Sequence, residues 1–293
     1  MPDLLRSATL ADTSLAVCAA VTTDLVAEIR RRHDLAPTAT AAAGRLVTAA
    51  VLLGANLKGR ERVSLQIAGD GPIGTLTADA WLLDESTVGA RAYAKNPHVD
   101  LPITARGKFD VAGALGSGVL QVTKSYEVGQ PYAGVVSLVS GEIAEDLAAY
   151  FDQSEQIPSV VALGVLANPS GVMASGGIVA QVLPGASEAT VEALERRANG
   201  LPPVTTAIAG GAGAAALLAS IAGDGERRSE RSLHVRFACF CTKEKVEAAL
   251  LGLGREELTR MSGEREIAEA TCEFCRRVYR LSRPEMQALI DRG

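Results

Sequence analysis

Four of the five cysteines lie in the last fifth of the chain, and their spacing constrains this region more than any other sequence feature. They form two close pairs, Cys239-Phe240-Cys241 and Cys272-Glu273-Phe274-Cys275, separated by residues 242–271. Four soft thiolate ligands in two tight pairs can surround a tetrahedral Zn²⁺ ion, with sulfur–metal distances of about 2.3 Å. The spacing therefore predicts a zinc site formed by Cys239, Cys241, Cys272 and Cys275.

The same two pairs are suited to redox chemistry, because the members of each pair are close enough to oxidise to a local disulfide. Thiolates held by Zn²⁺ are already deprotonated, so oxidants such as peroxide or hypochlorite can attack them. A metal site that can be converted into disulfides is typical of a sensor. The alternative is a closed structural zinc site that only holds a small domain together. The remaining cysteine, Cys18, stands alone in an apolar stretch, and we expect it to be a small buried residue.

Length and charge limit the classes of function. A chain of 293 residues is long enough for about two domains and a sizeable core. The net charge of −5 argues against a general nucleic-acid binder, because neutralising phosphates requires a clustered excess of Lys and Arg.

Targeting signals and membrane spans are not evident in the sequence. Residues 1–20 lack the uninterrupted apolar core of a secretory signal. Leu46–Leu57 is too short to span a bilayer, and Ala207–Ala222 is mostly Ala interrupted by Gly, so we expect no membrane association. The sequence thus predicts a cytoplasmic protein. Paired thiols in that reducing compartment bind metal or are redox-active.

Motifs for nucleotide binding and catalysis are weak. Gly69-x-Gly71-x-x-Gly74 and Gly211-x-Gly213-x-x-Ala216 match a dinucleotide fingerprint by spacing. Pro72 and the following alternating residues favour a hairpin turn at the first, and the second lacks the rest of a βαβ unit. The histidines are scattered and form no catalytic motif: His33, His98 and His234. We therefore expect no enzyme activity and no cofactor besides Zn²⁺.

Hydrophobic periodicity predicts an α+β fold, because strands and helices are grouped rather than regularly alternating. The predicted strands are 13–20, 63–67, 73–82, 88–94, 118–123, 132–137 and 178–183. The predicted helices are 24–32, capped by Thr23 or Asp24, then 38–57, 140–153 capped by Ser140, 187–199, 243–251, 256–261 and one beginning near Pro284.

Composition changes twice along the chain and divides it into three parts. Leu183-Pro184-Gly185 ends the first part, and a polar connector over 223–231 precedes the cysteine-containing module. The predicted domains are an N-terminal α+β domain over 1–183, a helical linker over 184–235 and a small zinc-binding domain over 236–293. Because so small a module has little core, loss of the metal should unfold it and release the apolar segment 187–222.

Several motifs resemble those of the redox-regulated 33 kDa chaperonin family of bacteria. In the C-terminal part these are Arg236-Phe237-Ala238-Cys239-Phe240-Cys241, Val246–Leu258, and Thr271-Cys272-Glu273-Phe274-Cys275 with Tyr279. Phe240 is bulkier than the small or polar residue often found there in the family. The likeness extends to Asn56-Leu57-Lys58-Gly59, Leu65-Gln66-Ile67, Gly69-Asp70-Gly71-Pro72, Asn96-Pro97 with Pro102, and Gly176-Gly177.

The resemblance implies an N-terminal α+β domain, a helical linker folded over it and a C-terminal redox switch. It also implies an ATP-independent holdase that is zinc-bound and inactive when reduced. Oxidation would form the disulfides Cys239–Cys241 and Cys272–Cys275 and activate the protein. Active members of the family are dimers that bind unfolding client proteins.

Two other functions are compatible with the cysteines. A zinc-ribbon nucleic-acid module could use aromatic and basic side chains near the predicted site, namely Phe237, Phe274, Tyr279, Arg276, Arg277 and Arg280. A thiol–disulfide oxidoreductase could use Cys272 and Cys275, although the thioredoxin-like βαβ context is missing.

Overall fold

A ten-stranded mixed sheet organises most of the chain. The structure is a computed structural model and describes residues 2–223 and 225–292; Asp224, in the predicted connector, lies outside the described residues. The chain divides into two compact units, Met1–Ala238 and Cys239–Gly293. The α+β fold class is confirmed.

The strands of the sheet pair antiparallel except β5 and β10, which run parallel. In hydrogen-bonded order they are β7 (Tyr132–Ser137), β6 (Gly118–Ser125), β3 (Arg62–Gly69), β4 (Thr75–Asp84), β5 (Thr87–Ala94), β10 (Arg227–Phe237), β1 (Leu4–Leu10), β2 (Leu15–Val21), β9 (Gly171–Val182) and β8 (Ser159–Asn168).

Helices cover both faces of this sheet. They are α1 (Thr23–His33), α2 (Pro37–Leu53, continued by a 3₁₀ turn over Gly54–Asn56), α3 (Val111–Leu115), α4 (Ala144–Tyr150, continued by a π-helical turn over Phe151–Glu155), α5 (Glu188–Gly200), α6 (Val204–Ala209) and α7 (Ala214–Ala222).

The helix α2 forms the centre of the larger core. Its Ala-rich sequence lets it lie close to the sheet, and residues Thr38–Leu52 are all buried. The segment Pro37–Asn56 is long and apolar enough to cross a membrane, but 94% of its apolar 18-residue stretch is buried inside the protein. This is the environment of a core helix, as predicted for Leu46–Leu57.

The opposite face of β1, β2 and β9 carries a second core. Successive residues of a strand point to opposite faces, so Cys18 and Ala20 join the core around α2, whereas Val17 and Ala19 contact the other side. There they pack against apolar residues of α5–α7, namely Leu194, Val204, Ala214, Leu217, Leu218, Ile221 and Ala222. The helices of the predicted linker are therefore folded onto the sheet of the first unit.

The prediction of a polar connector over 223–231 is wrong in its second half. Residues from Arg227 onward form β10, which lies between β5 and β1 in the middle of the sheet. Its first residues are charged and exposed, so they carry no alternating hydrophobic signal. Pairing along the whole of β1 makes them a strand.

The caps predicted for two helices are also wrong. At the start of each helix a carboxylate other than the predicted cap accepts the backbone N–H groups. At α1 the carboxylate of Asp3 accepts the backbone N–H groups of Asp24 (3.1 Å) and Leu25 (2.7 Å). The helix predicted from Ser140 begins at Ala144. Asp146 there accepts the N–H groups of the preceding turn, including that of Ile143 at 2.8 Å.

The second unit is small. It contains α8 (Lys243–Leu251), α9 (Arg255–Glu264), the hairpin β11 (Ile267–Thr271) and β12 (Val278–Ser282), and α10 (Arg283–Arg292). The three helices occur where the sequence predicts them, whereas the hairpin was not predicted. The core consists of Ala268, Leu281, Met286 and Leu289, with Val246, Leu250 and Met261 packed against it.

Asp3 should make the first unit less stable as pH rises. Burial raises the pKa of this carboxyl from 3.8 to about 7, although the N–H groups of Leu25 and Asp24 oppose the shift. The folded state therefore holds a proton that the unfolded state has lost, and stability falls between about pH 4 and pH 7. We expect Asp3→Asn to remove much of this fall, which is up to about 4 kcal/mol. Urea unfolding followed by fluorescence of Trp81, the single tryptophan, measures it.

Asp152→Asn, at an exposed position, is the matched control and should keep the pH dependence of the unaltered protein. An unchanged slope in Asp3→Asn would contradict the assignment to Asp3.

Candidate metal centre

The four predicted ligands come from two separate segments of the second unit. Cys239 and Cys241 lie just before α8, whose first turn is capped by the Thr242 hydroxyl, which accepts the N–H of Lys245. Cys272 and Cys275 lie in the turn between β11 and β12. Each segment is short, so its two thiols lie close together.

A tight backbone turn shapes the Cys272 segment. The N–H of Cys272 donates to the carbonyl of Arg277, and the N–H of Arg276 donates to the carbonyl of Cys272, both at 2.9 Å. Arg276 adopts a left-handed conformation, with φ of 60°. This conformation reverses the chain immediately after Cys275 and leads it into β12.

The structure brings all four sulfur atoms within 4.8 Å of one another. The Sγ atoms of Cys239 and Cys272 are 3.8 Å apart, and those of Cys241 and Cys275 are 3.3 Å apart. Ligands at about 2.3 Å around a tetrahedral zinc ion are separated by about 3.8 Å. The cluster therefore has the size and the soft donor set of a tetrahedral zinc site.

Tyr279, on β12, adds a polar contact to the cluster. Its hydroxyl lies 3.1 Å from the sulfur of Cys241 and 3.0 Å from the carbonyl oxygen of the same residue. The ring is 9% exposed, so packing holds the hydroxyl in place. In the sequence, Tyr279 stands out only as part of the family resemblance and of the alternative nucleic-acid-binding patch. Its position four residues after Cys275 is the one signal that places it near the thiols.

The thiols differ in acidity. Burial raises the pKa of Cys241, but hydrogen bonds from Tyr279 and the other cysteines outweigh it and lower the pKa to about 7. Burial raises the pKa of Cys275 to about 12 and also raises that of Cys272, where the N–H groups of Cys275 and Phe274 oppose the shift. Crowded thiols resist ionising together. A divalent cation among them favours the thiolates.

Cys18 lies outside this cluster, as predicted. It is buried in the first unit, its thiol hydrogen bonds to the carbonyl of Leu52 at 3.6 Å, and burial raises its pKa. The fingerprint at Gly211 follows α6 rather than a strand, and Gly69–Gly74 lies in the β3–β4 turn.

Several residues of the proposed nucleic-acid patch have intrachain partners. Tyr279 contacts Cys241, Arg280 pairs with Glu269 at 2.7 Å, and Phe237 lies under the guanidinium of Arg32 at 4.3 Å. These contacts occupy groups that stacking on bases and binding to phosphates would require.

Comparisons with known proteins agree with the fold and the cysteine cluster. The sequence model of the family described as Hsp33 protein matches residues 3–282. A 33 kDa chaperonin of Desulforamulus reducens is 40% identical over 293 residues, covering 100% of this chain and 98% of that protein. A 33 kDa chaperonin of Geobacillus sp. strain WCH70 is 39% identical, covering 99% of this chain and 97% of that protein.

A solved structure extends the agreement to three dimensions. The crystal structure of the 33 kDa chaperonin of Thermotoga maritima superimposes with a TM-score of 0.90 at 36% identity, covering 99% of this chain and 98% of that one. Fold and sequence together define a molecular chaperone. The chain belongs to the Hsp33 family.

We expect Tyr279→Phe to weaken zinc binding by about 10–100-fold, the usual effect of removing a polar partner of a metal ligand. The phenyl ring keeps the packing, and only the hydroxyl near Cys241 is lost. Competition with a chromogenic chelator measures the affinity. Tyr132→Phe removes an exposed tyrosine hydroxyl in the first unit and should leave affinity unchanged. Equal affinities for Tyr279→Phe and the unaltered protein would show that the hydroxyl has no role.

Proposed function

We propose that this protein is a cytoplasmic, redox-regulated, ATP-independent holdase whose four clustered cysteines bind Zn²⁺ in the reduced, inactive form. The observation that carries the proposal is the convergence of four thiols from two segments to within 4.8 Å. Bound Zn²⁺ would keep these thiols deprotonated. Membership of a chaperone family supports binding to unfolding proteins and argues against an enzyme.

The size of the second unit supports a metal-dependent fold. Its hydrophobic core has few fully buried side chains. Zinc can contribute about 10–16 kcal/mol of apparent folding free energy to a small module. Whole domains are stable by only about 5–15 kcal/mol. Loss of the metal therefore unfolds this unit.

Oxidation is the proposed trigger. In each pair, Cys239–Cys241 and Cys272–Cys275, two thiolates lose two electrons to one molecule of hydrogen peroxide and form one S–S bond. The peroxide takes up these two electrons and two protons and becomes two molecules of water. A disulfide sulfur is a poor metal ligand, so the site is lost. The two cross pairs, Cys239–Cys272 and Cys241–Cys275, are also close together in the folded cluster, so the local pairing rests on the family resemblance.

The chain itself connects the cluster to the sheet. Cys239 follows the last residue of β10, Phe237, by two positions. β10 in turn follows α7 after a short connection and lies between the two halves of the sheet. Unfolding of the second unit frees the end of β10, and we propose that this loosens the linker helices α5–α7.

The surface under the linker helices is suited to clients. Val17, Ala19, Ile178 and Ala180 on the sheet pack against α5–α7. Releasing the helices exposes this apolar face together with the helices' own apolar residues. We propose that unfolding client proteins bind there, and that the oxidised protein acts as a homodimer.

Only the oxidised protein should suppress aggregation of a heat-unfolding client. Light scattering at elevated temperature, with reduced and with peroxide-treated protein, measures this. Equal suppression by both forms would contradict redox control. No suppression by either form would contradict the chaperone function.

Cys18→Ser is the matched control for this experiment and should respond to oxidant like the unaltered protein, because Cys18 lies outside the cluster. Peptide mapping of the oxidised protein should find Cys239 linked to Cys241 and Cys272 linked to Cys275. Cross-linked pairs would contradict the proposed disulfides.

Leu218→Ala should make the reduced protein partly active. Leu218 is 2% exposed on α7, and truncating a buried leucine costs about 2–5 kcal/mol. The loss weakens the docking of the linker helices, so a fraction of reduced molecules exposes the client surface. The same scattering assay measures it. Leu253→Ala, at a 55% exposed position, is the control. A reduced Leu218→Ala protein as inactive as the control would argue against release of the helices.

A further inference from the structure

Side chains hold the segment that carries the first ligand pair at three successive residues. The carbonyl of Phe240 accepts a hydrogen bond from the ammonium group of Lys245 at 2.9 Å. The carbonyl of Cys241 accepts one from the hydroxyl of Tyr279 at 3.0 Å, and the hydroxyl of Thr242 accepts the backbone N–H of Lys245 at 3.3 Å. Lys245 therefore contacts this segment twice, through its side chain and through its backbone.

The side chain of Lys245 also lies over the ring of Phe240. Its Nζ atom is 4.3 Å from the ring centroid, which is within the range of a cation–π contact. The ring is half-buried, whereas the lysine is exposed. The charge of the ammonium group strengthens its hydrogen bond to the carbonyl. One ammonium group thus binds both the carbonyl and the ring of the residue between Cys239 and Cys241.

The second ligand pair is held in a different way. Backbone hydrogen bonds among Cys272, Arg276 and Arg277 close its turn, and these bonds do not depend on any one side chain. The first pair instead depends on side chains that reach it from α8 and β12. A substitution of Lys245 therefore alters the support of one pair and leaves the backbone support of the other intact.

Oxidation of the first pair requires its segment to move. Two ligands of a tetrahedral zinc ion are about 3.8 Å apart, whereas the two sulfurs of a disulfide are about 2.05 Å apart. A disulfide between Cys239 and Cys241 closes a small ring that contains the peptide group of Phe240, so closing it turns this carbonyl away from Lys245. The two thiolates give two electrons to one molecule of hydrogen peroxide, which takes up two protons and becomes two molecules of water, and the zinc ion is released.

We propose that Lys245 is a positioning residue of the zinc site: it holds Cys239 and Cys241 in the metal-binding arrangement and slows the closing of the disulfide between them. Phe240 belongs to the same arrangement, because its carbonyl and its ring are the groups that the ammonium binds. This role rests on the proposed function, since it requires that the cluster binds Zn²⁺ and that each disulfide forms within a pair.

Mass spectrometry of alkylated peptides tests this role, because it follows each disulfide separately while peroxide reacts with the reduced, zinc-loaded protein. Lys245→Met removes the ammonium group and keeps an unbranched side chain. We expect it to raise the rate of Cys239–Cys241 closure relative to that of Cys272–Cys275 by about tenfold, the lower end of the usual effect of removing a partner of a metal ligand. Lys245→Arg should restore the ratio, because a guanidinium also donates to carbonyls and stacks on aromatic rings.

Arg255→Met is the matched control, because it removes one positive charge at an exposed position in the first turn of α9. Its ratio of the two rates should equal that of the unaltered protein. Competition with a chromogenic chelator gives a second measurement without oxidant, in which Lys245→Met should bind zinc more weakly and Arg255→Met should not. Circular dichroism checks that each variant is folded.

An unchanged ratio in Lys245→Met, or the same change in Arg255→Met, would overturn the inference. Equal acceleration of both pairs would also overturn it, because the lysine would then stabilise the second unit as a whole rather than position one pair. Each of these results leaves the proposed function intact. Unaltered protein that forms no Cys239–Cys241 disulfide would instead contradict the proposed function and this inference together.

Discussion

The second unit brings four thiols together beside a small apolar core, and in the function we propose their shared metal ion holds the unit folded. Cys239 and Cys241 enter from the end of β10, Cys272 and Cys275 from the β11–β12 turn, and few apolar side chains join these segments otherwise. Four crowded sulfurs repel one another when ionised, and a soft dication removes that repulsion while tying the segments together. In the proposed function, oxidation that consumes the sulfurs therefore acts directly on the fold.

The first unit has the opposite character. Its core around α2 is large and apolar, and its sheet extends over ten strands. One strand, β10, belongs to that sheet yet leads directly to the first ligand pair. The fold thus places the cysteine cluster immediately after a strand in the middle of the ten-stranded sheet. The apolar helices α5–α7 precede the same strand, so one covalent path links the thiols to the surface that we propose for clients.

The sequence predicted the parts of the fold whose signals are local. The cysteine spacing predicted the cluster, and α8 occurs over Lys243–Leu251 as predicted. The sequence did not predict elements that depend on residues remote in the chain. The strand β10 begins with charged, exposed residues and is a strand only because β1 and β5 flank it. The caps at α1 and α4 are carboxylates, Asp3 and Asp146, that reach the helix ends through tertiary structure or a following turn. No local pattern reveals the Asp3 cap, whereas Asp146 lies in the first turn of α4 itself, three residues after Ile143.

The measurement closest to the central claim follows zinc content and far-ultraviolet circular dichroism of the same sample during a peroxide titration. If the cation holds the second unit together, zinc release and loss of helical signal coincide, and hydrogen exchange becomes fast across residues 239–292 while α2 stays protected. Full metal retention with an unchanged spectrum, in protein whose cluster thiols have been oxidised, would contradict the account.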